Sequence, residues 1–276
     1  MTVREVTNAI IKKTGVTIPE EKTCDHLITG SFDTEVTKIV TSFLVTIEVL
    51  REAVSRHANL IITHEPTLFL ERKSDDPFAE HNPVYREQKR LLEENHIAIW
   101  RFHDHMHAEQ KDGIYRGLEK ELGWESYVIP DIPGSPTEHF GACYEIPLMS
   151  LQELADFLKE KLEMEKIRAV GDPKMKVKRV GILVGGGSQG LGDPLKPLKI
   201  MEERSLDVIV CGEIFELLSP PFIRNMQALG YQQAMLILGH ERSEEAGMKH
   251  LGSWLEPILP GIQVEFVDSG EPFCYL

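Results

Sequence analysis

The chain has 276 residues, with 30 Lys and Arg against 44 Asp and Glu, which gives a formal net charge of −14 with histidine neutral. This length suffices for one large domain or two small ones, and 42% apolar with 27% charged residues is a soluble globular composition, so a disordered or fibrous chain is excluded. The acidic balance argues against nonspecific nucleic-acid binding, which needs a basic surface to release counterions, and leaves a small-molecule ligand as the expected partner.

In chain order, Val3, Ala9, Ile10 and Ile11 fit a short amphipathic opening helix that ends before Pro19. Val36 to Leu44 reads as a strand, Thr46 to Arg56 as a helix, and Asn59 to Thr63 as a short buried strand. A proline-punctuated polar loop from Glu71 to Asn82 leads into a helix over Pro83 to Glu94, with the proline in the first turn, where its missing N–H costs little. Ile97 to Phe102 is the next strand and Asp112 to Glu121 the next helix. The segment 129–136 carries three prolines and a glycine and marks a boundary. Beyond it a strand is expected at Phe140 to Ile146. A helix follows at Ser150 to Leu162, opened by a capping box of Ser150 and Glu153. Further strands fall at Val177 to Val184, Val208 to Cys211, Ala234 to Gly239 and Gln263 to Val267. The helices between them lie near Pro194 to Glu203, Pro220 to Leu229 and Glu241 to Leu259. Alternating apolar strands and helices predict an α/β fold with mainly parallel or mixed sheets, and each half can form a small α/β unit.

Cys24, Cys143, Cys211 and Cys274 are scattered without a C-x-x-C pair and read as reduced, packed thiols of a cytoplasmic protein. No apolar run approaches the ~18–20 residues that span a bilayer. Met1 to Thr14 mixes Arg4, Glu5, Lys12 and Lys13 with apolar residues, so neither a membrane partner nor a leader peptide is expected.

Five of the 11 histidines follow the ends of expected strands: His64 with Glu65, the run His103-Asp104-His105-Met106-His107, and His240 with Glu244 four residues on. In open parallel sheets ligands bind outside those strand ends. His240 and Glu244 share a face if a helix starts near His240. His103, His105 and His107 share one face of an extended segment, and His103 and His107 share a face of a helix as well. Imidazole with carboxylate suits a borderline divalent cation such as Zn, Fe or Mn, and the lack of cysteine at each cluster argues against a structural zinc knuckle. His26, His57, His81, His96, His139 and His250 stand beside no second ligand and read as ordinary loop or surface residues.

Gly185, Gly187 and Gly190 satisfy G-x-G-x-x-G, but Asp193 and Pro194 open the next helix too late for a dinucleotide turn. A tight turn, or a close approach of backbone to the site, is the better reading. Glu213, after the strand ending at Cys211, is the best spare carboxylate for catalytic acid/base work; a solvated loop acid is the alternative. A Ser-His-Asp hydrolase lacks its G-x-S-x-G signature.

The run Asn59-Leu-Ile-Ile-Thr-His-Glu-Pro-Thr-Leu-Phe69 resembles the "dlIitHHPlif" segment of the Nif-three-like dinuclear-metal-centre proteins, also described as GTP cyclohydrolase I type 2 homologues. Gly239-His-Glu-Arg-Ser-Glu244 resembles their "GHyxsE" motif, and His103 to Gly113 resembles "HtnlDaapgG", with His103, Ala108 and Gly113 matching. Carried over, the resemblance implies His64, His240 and Glu244 as metal ligands. Glu65 stands where the family has its second histidine, and His107 where it has aspartate. Three imidazoles and two carboxylates remain, so the implied metal set is His64, Glu65, His107, His240 and Glu244, with Glu244 as the carboxylate that can bridge. His103 is then a proton shuttle or spare ligand.

The resemblance also implies two similar α/β lobes with the metal site in the cleft between them. The expected ranges are 1–128 with 236–276 for the first lobe and 129–235 for the second. It further implies a toroidal homohexamer and one or two divalent ions per subunit. The expected function is metal-dependent hydrolysis of a nucleotide or related heterocycle through metal-activated water; the alternative is a non-catalytic metal-binding or regulatory ring.

Overall fold

The computed structural model describes residues 1–66 and 81–275. Residues 71–80 of the expected polar loop, and Thr67 to Phe69 of the first motif, lie outside the described residues.

The elements follow one another as helix α1 (Val3–Thr14), strands β1 (Leu27–Thr29) and β2 (Lys38–Ser42), α2 (Ile47–Ser55), β3 (Leu60–Thr63), α3 (Pro83–Glu94), β4 (Ala98–Arg101), α4 (Asp104–His107) and α5 (Gly113–Leu122). Then come β5 (Val128–Ile129), β6 (Ala142–Ser150), α6 (Leu151–Lys161), β7 (Arg168–Val170), β8 (Lys176–Leu183), α7 (Lys196–Glu203) and β9 (Val208–Cys211). The chain closes through α8 (Ser219–Ala228), β10 (Ala234–Ile237), α9 (His240–Leu255) and β11 (Gln263–Phe266). The α/β expectation holds, with two mixed sheets. Among the described residues, no helix is long and apolar enough to cross a membrane.

The chain divides into two compact units, Met1–Gly117 with Gly247–Gly270, and Leu118–Ala246 with Glu271–Leu276. His240 and Glu244, expected on the first lobe, are thereby grouped with the second unit.

In the first unit the sheet order is β1-β4-β3-β2-β11. β4, β3, β2 and β11 run parallel, and β1 pairs antiparallel at the edge, Leu27 opposite Trp100. All four residues of β3 are buried, as a strand covered on both faces requires. Val49, Leu50 and Ala53 of α2 and Leu91 and Leu92 of α3 pack with Val40, Ile61 and Ile99 in one core cluster. Each fully buried aliphatic side chain of this kind stabilises by about 1.5–3 kcal/mol. Trp100, Phe102 and Trp254 stack at centroid distances of 5.2 and 6.3 Å.

The second sheet has the order β5-β6-β8-β9-β10-β7. β8, β9 and β10 are parallel, flanked by antiparallel β6 and β5 on one side and β7 on the other. The capping box at α6 is present: Ser150 Oγ accepts from Glu153 N–H, and the Glu153 carboxylate accepts from Ser150 N–H at 2.6 Å. β9, Val208–Cys211, is buried throughout and its end carries the Gly212-Glu213 turn.

The thiols need one correction. Cys143 and Cys211 are buried and Cys24 is half-buried, but Cys274 is exposed, near the chain end. His57, His96 and His139 are surface residues with φ of 58, 52 and 59°, turn conformations rather than parts of a donor cluster.

Candidate metal centre

In the first unit three imidazoles converge. β3 ends at Thr63, so His64 follows its buried end, with the whole residue 0% exposed. Two residues beyond β4 comes His103, the N-cap of α4, which opens at Asp104. Ring centroids lie 4.4 Å apart for His64 and His103, 5.0 Å for His64 and His107, and 4.8 Å for His103 and His107. The three residues can offer ring nitrogens that all lie within 4.8 Å of one another.

Each ring has its Nδ1 engaged by an acceptor. His64 Nδ1 lies 3.2 Å from the Phe102 carbonyl, His103 Nδ1 2.9 Å from Asp104 Oδ1, and His107 Nδ1 2.8 Å from Asp112 Oδ2. A carbonyl or carboxylate oxygen only accepts here, so the proton sits on Nδ1, and a ring in its neutral form keeps its lone pair on Nε2. This is how metal-binding histidines are held in many sites. Burial, reinforced by His103 and His107, holds the His64 ring well below the usual histidine range, so His64 is neutral. Burial opposes ionisation of Asp104, but hydrogen bonds from the Cys24 N–H and His103 outweigh it and hold that carboxyl well below the usual range. The donor set therefore fits a borderline divalent cation.

The segment 103–107 is helical at its core, which decides between the two arrangements the spacing allowed. His103 and His107 share a face and His105 turns away. His105 is buried and its Nδ1 lies 2.7 Å from Asp25 Oδ2. Asp25 Oδ1 also accepts from the N–H groups of His103 at 2.6 Å and Asp104 at 2.8 Å, and Oδ2 from that of His105 at 2.9 Å. One carboxylate from the start of the chain thus closes the exposed amide end of α4. Asp25 gave no sequence signal, because an isolated acid 78 residues from its partners has no period or spacing to betray it. Asp112 was more accessible: its Oδ1 caps the N–H groups of Ile114 and Tyr115 at 2.8 and 3.3 Å, and an acid just ahead of a helix is a start signal.

Glu65 is held differently. Its Oε2 accepts from Arg101 Nη2 at 3.1 Å, while Oε1 lies 3.7 Å from His103 Nε2, too far for a hydrogen bond. Arg101 Nε also donates to the His64 carbonyl at 3.1 Å.

In the second unit α9 begins at His240, so His240 and Glu244 lie one turn apart, with Nε2 and Oε2 3.0 Å from each other. Glu213 Oε1 lies 2.8 Å from His240 Nδ1, and its Oε2 accepts from Gln189 Nε2. The carboxylate expected to act in acid/base chemistry is thus engaged through both oxygens. The glycine run is a short 3₁₀ turn, Gly185–Gln189, and no dinucleotide turn. Gly185 has φ +48°, and a Cβ there would come within 2.0 Å of Glu244 Oε1 and 2.7 Å of His240 Nε2. Backbone does approach this pair, and only glycine fits. Ser243 Oγ accepts from Gly185 N–H at 2.9 Å, locking turn and helix together.

The family model of Duf34/NIF3 (NGG1p interacting factor 3) matches residues 1–272. A GTP cyclohydrolase 1 type 2 homolog of Clostridium perfringens is 26% identical over 255 residues, covering 91% of this chain and 90% of that protein. A protein of the same description from Clostridium acetobutylicum is 24% identical over 214 residues, covering 76% and 75%. Among solved structures, a Bacillus cereus protein related to NIF3 superposes with TM-score 0.75 at 14% identity over 100% of this chain and 99% of that one. Reduced HcgD from Methanocaldococcus jannaschii superposes with TM-score 0.67 at 17% identity, covering 96% and 97%. The motifs around His64, His103 and His240 are thus borne by a chain that belongs to the DUF34/NIF3 family.

Proposed function

We propose that this chain is a divalent-metal-binding protein acting as a hydrolase on a nucleotide or related heterocycle. Its ligands are drawn from His64, Glu65 and His107 of the first unit and His240 and Glu244 of the second. The observation that carries the reading is the trio of imidazoles whose Nδ1 atoms are all engaged by fixed acceptors, leaving lone pairs on Nε2. One or two ions per chain, of Zn, Fe or Mn, suit these donors. A bound divalent ion lowers the pKa of its water toward ~7 and so supplies hydroxide at neutral pH.

The chain's own residues do the positioning. Phe102 carbonyl, Asp104 and Asp112 fix three ring orientations, and Glu213 fixes that of His240. Gly185 leaves the space that the His240–Glu244 pair occupies. The nucleotide class follows the description of the Clostridium relatives, and a cytoplasmic homohexamer follows the resemblance in the sequence.

A second reading has its own support. Glu213, the best spare acid, is tied to His240 and Gln189, which suits a metal-binding or regulatory ring without turnover. A hydrolase screen over nucleotides and heterocycles, run with metal-loaded protein and with the His64→Ala variant, separates the two. Metal-dependent turnover lost in the variant supports the enzyme, whereas tight metal binding without turnover supports the ring.

A further inference from the structure

We propose that the first unit holds a mononuclear three-imidazole site made by His64, His103 and His107, in which His103 is a ligand and Glu65 is not. The inference rests on the metal-binding reading above and sharpens it. The ligand set implied by resemblance takes Glu65 and leaves His103 as a shuttle or spare; the geometry points the other way.

Three observations carry it. First, His103 stands in the same relation to its neighbours as the two expected ligands do. Its ring stacks on His64 at 4.4 Å and meets His107 edge-on at 4.8 Å, so it closes the triangle rather than standing outside it. The nitrogens on offer lie within 4.8 Å of one another, and two zinc–nitrogen bonds of ~2.1 Å at the tetrahedral angle set their nitrogens ~3.4 Å apart, so side-chain movements that close the gaps by up to about 1.4 Å bring all three to one ion.

Second, all three Nδ1 atoms are engaged by acceptors of this same unit. For His103 the acceptor is Asp104 Oδ1 at 2.9 Å, and the other oxygen of that carboxylate is fixed by the Cys24 N–H at 2.8 Å. A carboxylate behind Nδ1 fixes the ring with Nε2 outward, the arrangement found behind metal-bound histidines.

Third, Glu65 is already placed against a cation of the protein. Arg101 Nη2 donates to its Oε2, the Arg101 and Glu65 side chains are 13% and 19% exposed, and Arg101 is fixed in turn by its bond to the His64 carbonyl. With Oε2 held by this largely buried guanidinium, Glu65 could reach an ion only through Oε1, and Arg101 would compete with the ion for the carboxylate's charge. Three neutral imidazoles hold a divalent ion with no carboxylate at all, as the three-histidine class of catalytic zinc sites does, and keep a position open for water.

The test is cobalt(II) binding to the purified full-length chain, stripped with chelator. It is read by competition with a chelating dye and by the visible ligand-field spectrum, in wild type, His103→Ala, His103→Gln, Glu65→Gln and His107→Ala. Thermal melts of the metal-free proteins check folding, and His103→Gln keeps a polar side chain of similar reach should the alanine variant fold poorly. We expect His103→Ala, His103→Gln and His107→Ala each to weaken cobalt binding by 100-fold or more, on the order of the upper end for losing a single site partner, and to change the spectrum. We expect Glu65→Gln to change affinity by less than about 3-fold and to leave the spectrum in place. Cobalt affinity within about 3-fold of wild type in both folded His103 variants, or a loss in Glu65→Gln as large as in His107→Ala, overturns the three-imidazole assignment and leaves the metal-binding reading standing. Wild type that binds no cobalt overturns both.

Discussion

Asp25→Ala should open the histidine segment. The Asp25 side chain is 1% exposed and accepts four hydrogen bonds: from the N–H groups of residues 103, 104 and 105, and from the His105 ring. Bonds to a charged acceptor contribute about 1.5–3 kcal/mol each, so four taken separately sum to about 6–12 kcal/mol. That sum overstates the loss, because α4 is only four residues long and can fray to let water reach its amides. Loss of a helix cap alone costs about 0.5–2 kcal/mol, and breaking a buried charge-bearing network about 3–5 kcal/mol. A local cost of about 3 kcal/mol is the middle of that span. Each 1.4 kcal/mol is about tenfold in an opening equilibrium, so amide exchange at residues 103–105 should accelerate by about 100-fold in Asp25→Ala. Hydrogen–deuterium exchange with mass spectrometry on peptides covering 98–110 reads this directly. Peptides from β9 in the other unit serve as the internal reference. Asp25→Asn, which retains one acceptor oxygen, should fall between the two. Exchange at 103–105 within about 3-fold of wild type would show that Asp25 does not hold the segment, and the account of how His103 and His107 are brought to one face would fail.

Gly185→Ala should destabilise by about 1–3 kcal/mol through its left-handed backbone alone and should also displace Glu244, whereas Gly186→Ala, with nothing within 4 Å of its new Cβ, should do neither; denaturant melts and metal titration compare them. Glu213→Gln should weaken metal binding at His240 by about 10- to 100-fold, the usual effect of losing a partner behind a ligand, seen by competitive chelation. Iodoacetamide at pH 8 should alkylate exposed Cys274 and spare the others. Burial pushes the thiols of Cys24 and Cys211 up to about 12 and that of Cys143 to about 11, so at pH 8, below all three values, they stay protonated and unreactive, as peptide mapping would show. Ser150→Ala should lower the stability of α6 by about 1 kcal/mol, measured by exchange of its first-turn amides.

The elements that were legible in the sequence are those with strong local physics. The buried run Val208–Cys211 and the helix from Pro83 to Glu94 fall where length, apolar content and caps place them. The Ser150–Glu153 box is formed as its spacing requires. β1, β5 and β7 escaped, because they are edge strands of two or three residues whose pairing is antiparallel and whose side chains are at best half-buried, so neither alternation nor an apolar run marks them. α4 is likewise a single turn, too short to show a helical period, which is why 103–107 allowed both an extended and a helical arrangement. Of the candidate ligands, His64, His103 and His107 in the first unit and His240 and Glu244 in the second were visible as strand-end clusters, whereas their orientation was not. Asp25 and Arg101 act from beyond the local sequence, and the tie between Glu213 and His240 spans 27 residues. Glycine at 185 was the one position where a backbone approach was both readable and found.

The central claim is that the first unit is built to hold a divalent ion on imidazole nitrogen. Elemental analysis of the wild-type chain, stripped and reconstituted with zinc, beside the His64→Ala/His107→Ala double variant treated identically, tests it most directly. The account predicts bound zinc in the wild type that survives desalting and a marked drop in the double variant. Wild-type protein that retains no metal, or a double variant that retains as much as the wild type, would contradict it.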